Sequence, residues 1–363
     1  MMRLRRYLLF IVAALSVSGG VVAKSLNVLN WSDYIAEETL PVFEKRTGID
    51  VTYDVFDSNE VLEAKLLSGR SGYDVVAPTS EFLSRQLRAG AFVKLDKSKI
   101  PNWKNLDSKL LDKLQEHDPD NQYAVPYMWG TTGIGYNKAK IEKILGREAP
   151  VNSWELLFNP DYMKKLAPHG VAFLESPTEV FAAALTYLGL DPNSKNPKDY
   201  EQAEKLISQV RPYVTYFNSS RYISDLANGD IVVAMGWSGD ILMASDRAEE
   251  AGNGNVIEYS IPKEGAGVWF DMLAIPVGAA NTEEAHAFLN YLLEPKVIAE
   301  ITNYVSYANP NTQSTPFLDE SIAKNPGIYP DKETASRLYA FKEVEPKLDR
   351  VITRAWNRLM SGK

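Results

Sequence analysis

An α/β protein of two lobes is expected from three features of the chain. Short runs rich in Val, Ile and Tyr alternate with amphipathic helical segments, a pattern that reads as βαβ units with largely parallel strands. About 340 residues follow an N-terminal leader, enough for two domains of ordinary size. No Pro/Gly-rich linker, internal repeat or low-complexity tract divides them, so the chain is expected to cross between lobes more than once.

The leader comes first. Arg3, Arg5 and Arg6 precede an apolar stretch over 7–23, and Val21, Val22 and Ala23 offer small side chains to a signal peptidase. Cleavage before Lys24 is expected, making 1–23 a signal peptide. Ser16, Ser18, Gly19 and Gly20 weaken the run, and its 17 residues fall short of a usual membrane span. No Cys follows it, which excludes a lipoprotein anchor.

A first strand over 26–30 turns Leu26 and Val28 inward. Pro41 suits the first turn of a helix running to Thr47, with Gly48 ending it. Val51, Tyr53 and Val55 alternate as a second strand. Asp57, Ser58 and Asn59 supply N-cap chemistry for a helix carrying Val61, Leu62, Leu66 and Leu67. A third strand covers 73–77, and Pro78, Thr79 and Ser80 open the next helix. Farther on, 171–174, 213–217 and 231–235 read as strands, with helices over 180–188 and 199–210 between them. Strands over 256–261 and 270–275 follow, then helices over 282–293, 296–301, 332–341 and 348–360.

Composition narrows the function. The net charge is −8; without the three leader arginines, 36 basic residues face 47 acidic ones, about −11. That balance disfavours nucleic acid and favours cationic partners. Zero Cys excludes a disulfide framework, a thiol nucleophile and thiolate metal sites. Three histidines, His117, His169 and His286, leave little for a catalytic dyad or a zinc site. Asp118-Pro119-Asp120-Asn121 invites calcium, but turn chemistry explains it better, and no metal or cofactor is expected.

Open α/β sheets bind ligands beyond the carboxyl ends of their strands. Trp31, Ser32, Asp33 and Tyr34 follow the first strand, and Thr79, Ser80, Glu81 and Phe82 the third. Ser176, Pro177, Thr178 and Glu179 follow the strand that ends near Leu174. Gly236, Trp237, Ser238, Gly239 and Asp240 come next, then Trp269, Phe270 and Asp271, with Tyr304 and Tyr307 before the C-terminal helices. Aromatic plus carboxylate recurs. An ammonium group offers three donors and a full charge to carboxylates, while flat rings sheathe a methylene chain and attract the cation.

Each residue also has a plainer role. Glu179 completes a capping box with Ser176, Asp33 suits a turn, and Asp240 suits a helix N-terminus. Glu81 is either a further amine partner or a solvated first-turn acid, and Trp31 and Trp237 also read as core rings. Asp271 is harder to dismiss, because an unpaired charge between Phe270 and Met272 would be costly.

Several stretches carry a family likeness: Asn30-Trp31-Ser32-Asp33-Tyr34, Tyr73-Asp74-Val75-Val76-Ala77-Pro78, the run over 126–137 and the run over 227–240. Ser260-Ile261-Pro262-Lys263-Glu264-Gly265 and Asn325-Pro326-Gly327-Ile328-Tyr329-Pro330 continue it. In this order they resemble the periplasmic putrescine/spermidine-binding proteins of bacterial ABC importers, above all the putrescine-preferring branch. The resemblance implies a type II periplasmic-binding-protein fold: two lobes with central mixed sheets, a hinge, and the ligand in the interlobe cleft. One lobe would hold 24–128 and 250–298, the other 129–249 and 299–363. Asp240 and Asp271 match the acids at one ammonium, and Glu179 with Asp33 the partners of the other. Trp31, Trp237 and Trp269 match the rings along the chain. Ser32, Tyr34, Thr79, Ser220 and Tyr307 match polar wall positions, with Ser219 the alternative to Ser220.

Two positions depart from the putrescine pattern. Trp269 stands where putrescine-preferring relatives often carry Phe and spermidine-preferring ones resemble this sequence, whereas Asp240 keeps the putrescine-like choice, so ligand length stays open. Thr79 stands where Ser is common and keeps the hydroxyl. The resemblance further implies a monomer, exported to the periplasm, that closes on a polyamine and docks on a membrane permease without catalysis. A carboxylate-pair glycoside hydrolase would share the acids and rings, but nothing assigns one acid as proton donor. A carrier of another small cation or a neutral polyol is the nearer alternative, whereas a ferric-ion carrier would leave the tryptophans without a role.

Overall fold

A computed structural model describes residues 24–69 and 71–361, so the expected signal peptide over 1–23 lies outside the described residues. The first strands in chain order are β1 (Lys24–Trp31), β2 (Ile49–Phe56), β3 (Val75–Val76), β4 (Ala124–Asn137) and β5 (Val171–Phe173). They are followed by β6 (Tyr216–Phe217), β7 (Val233–Trp237), β8 (Ile257–Ser260), β9 (Ala266–Ala274) and β10 (Leu338–Ala340). Hydrogen bonding orders them β2-β1-β3-β9-β4-β7-β5-β6, with β10 added to β9 and β8 to β4. Among the described residues no helix is long and apolar enough to cross a membrane.

The first sheet begins as the sequence suggests. β1 runs parallel to both β2 and β3, with helices Thr39–Thr47 and Asn59–Leu67 as crossovers. The first of these starts at Thr39, two residues before Pro41. Gly48 ends it at φ 68°, its N–H donating to the Glu44 carbonyl at 2.8 Å, a left-handed position that glycine enters without a Cβ penalty. The Ser58 hydroxyl accepts the Val61 N–H and caps the second helix.

β4 is the element that periodicity does not reveal. Its burial pattern has thirteen of 14 residues buried, so apolar and polar positions do not alternate along it. Residues 124–131 pair antiparallel with β9; residues 132–137 pair antiparallel with β7 and β8. One strand thus serves two sheets. The expectation of largely parallel sheets is corrected: β3–β9 and every β4 pairing are antiparallel, because β4 passes from one sheet to the other with no helical crossover. The helix expected over 332–341 is also replaced. Helix Lys332–Ala335 stops, and Leu338, Tyr339 and Ala340 instead pair with Ala266, Gly267 and Val268 of β9. Backbone pairing at the sheet outweighs the local helical preference there.

Polar side chains lock the joints. The Asp118 carboxylate accepts the N–H groups of Gln122, Tyr123 and Ala124 at 2.9–3.0 Å, so the Asp118-Pro119-Asp120-Asn121 turn uses that acid internally. Asp74, buried beside β3, accepts the Asn27 N–H at 2.9 Å, the Asn281 N–H at 2.9 Å and the Asn281 side-chain amide at 3.0 Å. It ties β1 to the start of helix Thr282–Leu292. Hydrogen bonds to a charged acceptor contribute about 1.5–3 kcal/mol each, and orphaned donors add their desolvation cost. Asp74→Ala is therefore expected to lower stability by about 3 kcal/mol or more in urea unfolding, whereas Asp120→Ala should stay within about 1 kcal/mol.

Candidate functional site

The site is assembled where the ends of β1, β5 and β7 face the middle of β9. After Trp31 the chain turns sharply, with Asp33 at φ 52°, a left-handed conformation that Asp tolerates better than most residues. The turn brings Tyr34 inward, where its hydroxyl donates to Asp271 Oδ2 at 2.6 Å. β4 holds Asp271 opposite Met128, and burial raises its pKa well above the usual carboxylate range. Its other oxygen, Oδ1, is buried and has no partner in the protein.

Two more acids come from helix N-termini in the second sheet. Asp240 lies in the first turn of helix Ser238–Glu250, directly after β7. Its Oδ1 accepts from the Tyr307 hydroxyl and its Oδ2 from the Tyr222 hydroxyl, both at 2.6 Å. Glu179 lies in the first turn of helix Pro177–Tyr187, after β5. Its Oε2 accepts from Thr132 Oγ1 at 2.6 Å and its Oε1 from Trp237 Nε1 at 3.2 Å. Burial pushes both carboxyls up to about 7, against the pull of these donors. Only half of the Ser176 capping box forms: the Glu179 N–H donates to Ser176 Oγ at 3.4 Å, while the carboxylate engages Thr132 and Trp237 instead.

Aromatic rings form the walls. Trp31 and Trp237 meet edge-on at 5.7 Å, Trp237 and Trp269 at 6.4 Å, and Trp269 and Tyr307 at 5.3 Å. Tyr34 packs edge-on against Tyr307 at 5.1 Å, so two phenols bridge Asp271 to Asp240. The Trp31 indole N–H is anchored on the Ala77 carbonyl at 2.9 Å, whereas that of Trp269 is buried without a partner. Gly130 of β4 lies across from Trp269, where a Cβ would come within 2.7 Å of the ring. A Cβ on Gly239 would come within 2.4 Å of Tyr307. Glycine at these two positions lets the rings close up.

Trp31, Ser32, Asp33, Tyr34, Thr79, Glu179, Ser220, Trp237, Asp240, Trp269, Asp271 and Tyr307 all line one narrow cavity, with a free volume of about 50 Å³. Glu81 and Ser219 line it too, so both adjacent serines face the same space. Seven carboxylates border it and, among the described residues, no Lys, Arg or His does. Asp33 departs from the grouping with Glu179 that the resemblance implies. It is half-exposed, pairs with Arg247 at 2.8 Å, and acts repulsively on Asp240. Tyr304 is not in the wall; its exposed hydroxyl donates to Glu37 at 3.1 Å.

Sequence reasoning missed Tyr222 and Thr132, which supply donors to Asp240 and Glu179. Tyr222 carried a signal, since a tyrosine among the apolar positions of a short helix needs a partner for its hydroxyl. Thr132 carried none, because its role depends on β4 and the helix at 177 meeting. Asp57 and Ser58, read as cap residues, also border the cavity.

Two α/β units that share β4 have the architecture of the two-lobed periplasmic binding proteins. A solved structure described as a putative spermidine/putrescine ABC transporter from Listeria monocytogenes superposes with a TM-score of 0.84 at 30% identity, covering 94% of this chain and 100% of that one. The chain belongs to the bacterial extracellular solute-binding protein family, whose model matches residues 41–330. It is 55% identical to the putrescine-binding periplasmic protein SpuD of Pseudomonas aeruginosa over 100% of both chains. It is 54% identical to the putrescine-binding periplasmic protein PotF of Escherichia coli, over 97% of this chain and 96% of that one. A spermidine/putrescine-binding periplasmic protein of Salmonella typhimurium is 35% identical over 86% of this chain and 85% of its own.

The buried acids also set a pH dependence. Folded and ligand-free, Glu179 and Asp240 hold protons to about pH 7, against ordinary values of 4.5 and 3.8. Between those limits the folded state binds more protons than the unfolded one, so these acids favour folding fully below about 4 and lose that contribution through 7. Thermal unfolding of ligand-free protein should therefore show a falling contribution across that window, and Glu179→Gln combined with Asp240→Asn should flatten the slope.

Proposed function

We propose that this chain is the exported, periplasmic binding component of a polyamine ABC importer, taking putrescine, spermidine or both. The observation that carries this reading is a cavity that, among the described residues, is bordered by seven carboxylates and no base and in which a buried Asp271 oxygen lacks a partner. An isolated buried carboxylate is costly, and a bound cation is what offsets that cost. The indole and phenol rings between the acids suit a methylene chain, and their faces attract ammonium by about 0.5–2 kcal/mol each. The polyamine ligands named for the relatives support the same chemistry.

Asp271 and Asp240, joined through Tyr34 and Tyr307, take one ammonium group; Glu179 takes the other. Trp31, Trp237 and Trp269 sheathe the spacer, and Ser32, Thr79 and Ser220 complete the polar wall. The lobes comprise about 24–128 with 250–298, and 129–249 with 299–363. β8 (Ile257–Ser260) is the exception within 250–298: it pairs with the second half of β4 and so joins the second lobe. Ligand bound to one lobe supplies contacts that favour closure of the other, and the closed monomer docks on the permease. The protein binds and does not catalyse, since capture needs no covalent step and the relatives are named as binding proteins.

Micromolar affinity corresponds to about −8 kcal/mol, which a few charge-assisted hydrogen bonds of about 1.5–3 kcal/mol each can supply after ordering costs. Calorimetry on refolded, ligand-free protein with putrescine, cadaverine, spermidine and spermine should find at least one ligand binding below millimolar. Heat from none of them would sink the polyamine reading. Binding should tighten as pH rises through about 7, because the ligand favours the ionised acids and displaces their protons. Asp271→Ala should weaken binding by about 30-fold or more with little loss of ligand-free melting temperature, because relief of the buried carboxyl offsets the Tyr34 hydroxyl left without its acceptor; unchanged affinity would remove Asp271 from the site.

A further inference from the structure

Glu81 lies in the first turn of helix Ser80–Arg88, where an acid ordinarily faces water. Here it is 8% exposed and turned into the cavity wall. Its Oε1 accepts from Thr79 Oγ1 at 2.6 Å, and its Oε2 is buried with no partner. The nearest basic side chain along the helix does not neutralise it. Arg85 is committed to Glu63, Nε to Oε1 at 2.6 Å, with its guanidinium stacked 4.4 Å from the Phe82 ring centre.

We propose that Glu81, backed by Thr79, is a third cation station beyond Glu179, so that the site accepts a linear triamine whose far ammonium group binds the free Glu81 oxygen. This rests on the polyamine reading above and extends it. Asp271 with Asp240, and Glu179, already answer the two charges of a diamine, which leaves the Glu81 carboxylate over. Glu81 is close enough to both Glu179 and Asp271 to repel their charges, so it belongs to the same cavity and not to a separate surface patch. Glu60, exposed at the same end, adds to that field.

A second cavity continues from this end. It has a free volume of about 710 Å³ and shares Glu60, Glu81 and Phe82 with the first. Eight carboxylates and three basic side chains border it, so the potential along it favours a cation entering or extending from the inner cavity. Phe82, buried at the junction, offers an apolar surface for the extra methylene spacer.

The test is calorimetry with putrescine and spermidine on wild-type protein and Glu81→Gln, each in two buffers of different ionisation enthalpy. Glutamine keeps the shape and an acceptor for Thr79 but removes the charge. The ratio of spermidine to putrescine affinity should fall about tenfold in the variant, the loss of one charge-assisted contact. Burial holds the Glu81 carboxyl at about 7, so spermidine should displace more protons than putrescine from the wild type at neutral pH, and this excess should vanish in the variant. The proton count on the wild type tests the proposal even if the variant folds poorly. A ratio that moves less than twofold, an equal proton count for both ligands, or a wild type that binds putrescine but not spermidine overturns the third station and leaves the diamine reading standing. A wild type that binds neither overturns both.

Discussion

Because β4 pairs with β9 through its first half and with β7 and β8 through its second, a single backbone ladder fixes the two sheets against each other. The register of that ladder sets Trp269 opposite Gly130 and Asp271 opposite Met128. A slip of one residue would turn Asp271 to the other face and replace the glycine that the Trp269 ring needs. Position in the sheet thus decides which acid is buried, and the absence of a side chain at 130 decides how near the ring can come.

The acids around the cavity are held in different ways. Asp240 has a phenol on each oxygen and Glu179 a hydroxyl and an indole, so both stay hydrogen-bonded although burial opposes their charge. Asp271 and Glu81 each keep one oxygen without a partner. Burial raises the pKa of all four acids, so it opposes their charge, and a cation placed among them would favour the ionised forms. The Asp33–Arg247 pair sits outside this group and is half-exposed, so its contribution is small and salt-sensitive.

Much of the site was legible in the sequence. Strand ends located Trp31, Asp33, Thr79, Glu179, Trp237 and Asp240, because ligands gather where parallel strands finish and helices begin. Asp271 declared itself by standing in an apolar run. β4 was not legible, since a strand buried on both faces does not alternate, and β10 was read as helix because local preference favours helix where only the free flank of β9 calls for a strand. Tyr222 and Thr132 were missed because their partners lie 18 and 47 residues away, and no local spacing links them.

The chain alone thus determined the class of fold, the acidic and aromatic character of the candidate site, and most of the side chains that line its cavity. Those properties are set by residue type and local pattern. Only the tertiary structure decided which acids meet, which oxygens are left without donors, and that Asp33 turns to Arg247 while Glu81 turns inward. Such choices depend on where backbone segments far apart in sequence come to rest, and on the volume that Gly130 and Gly239 leave for their neighbours.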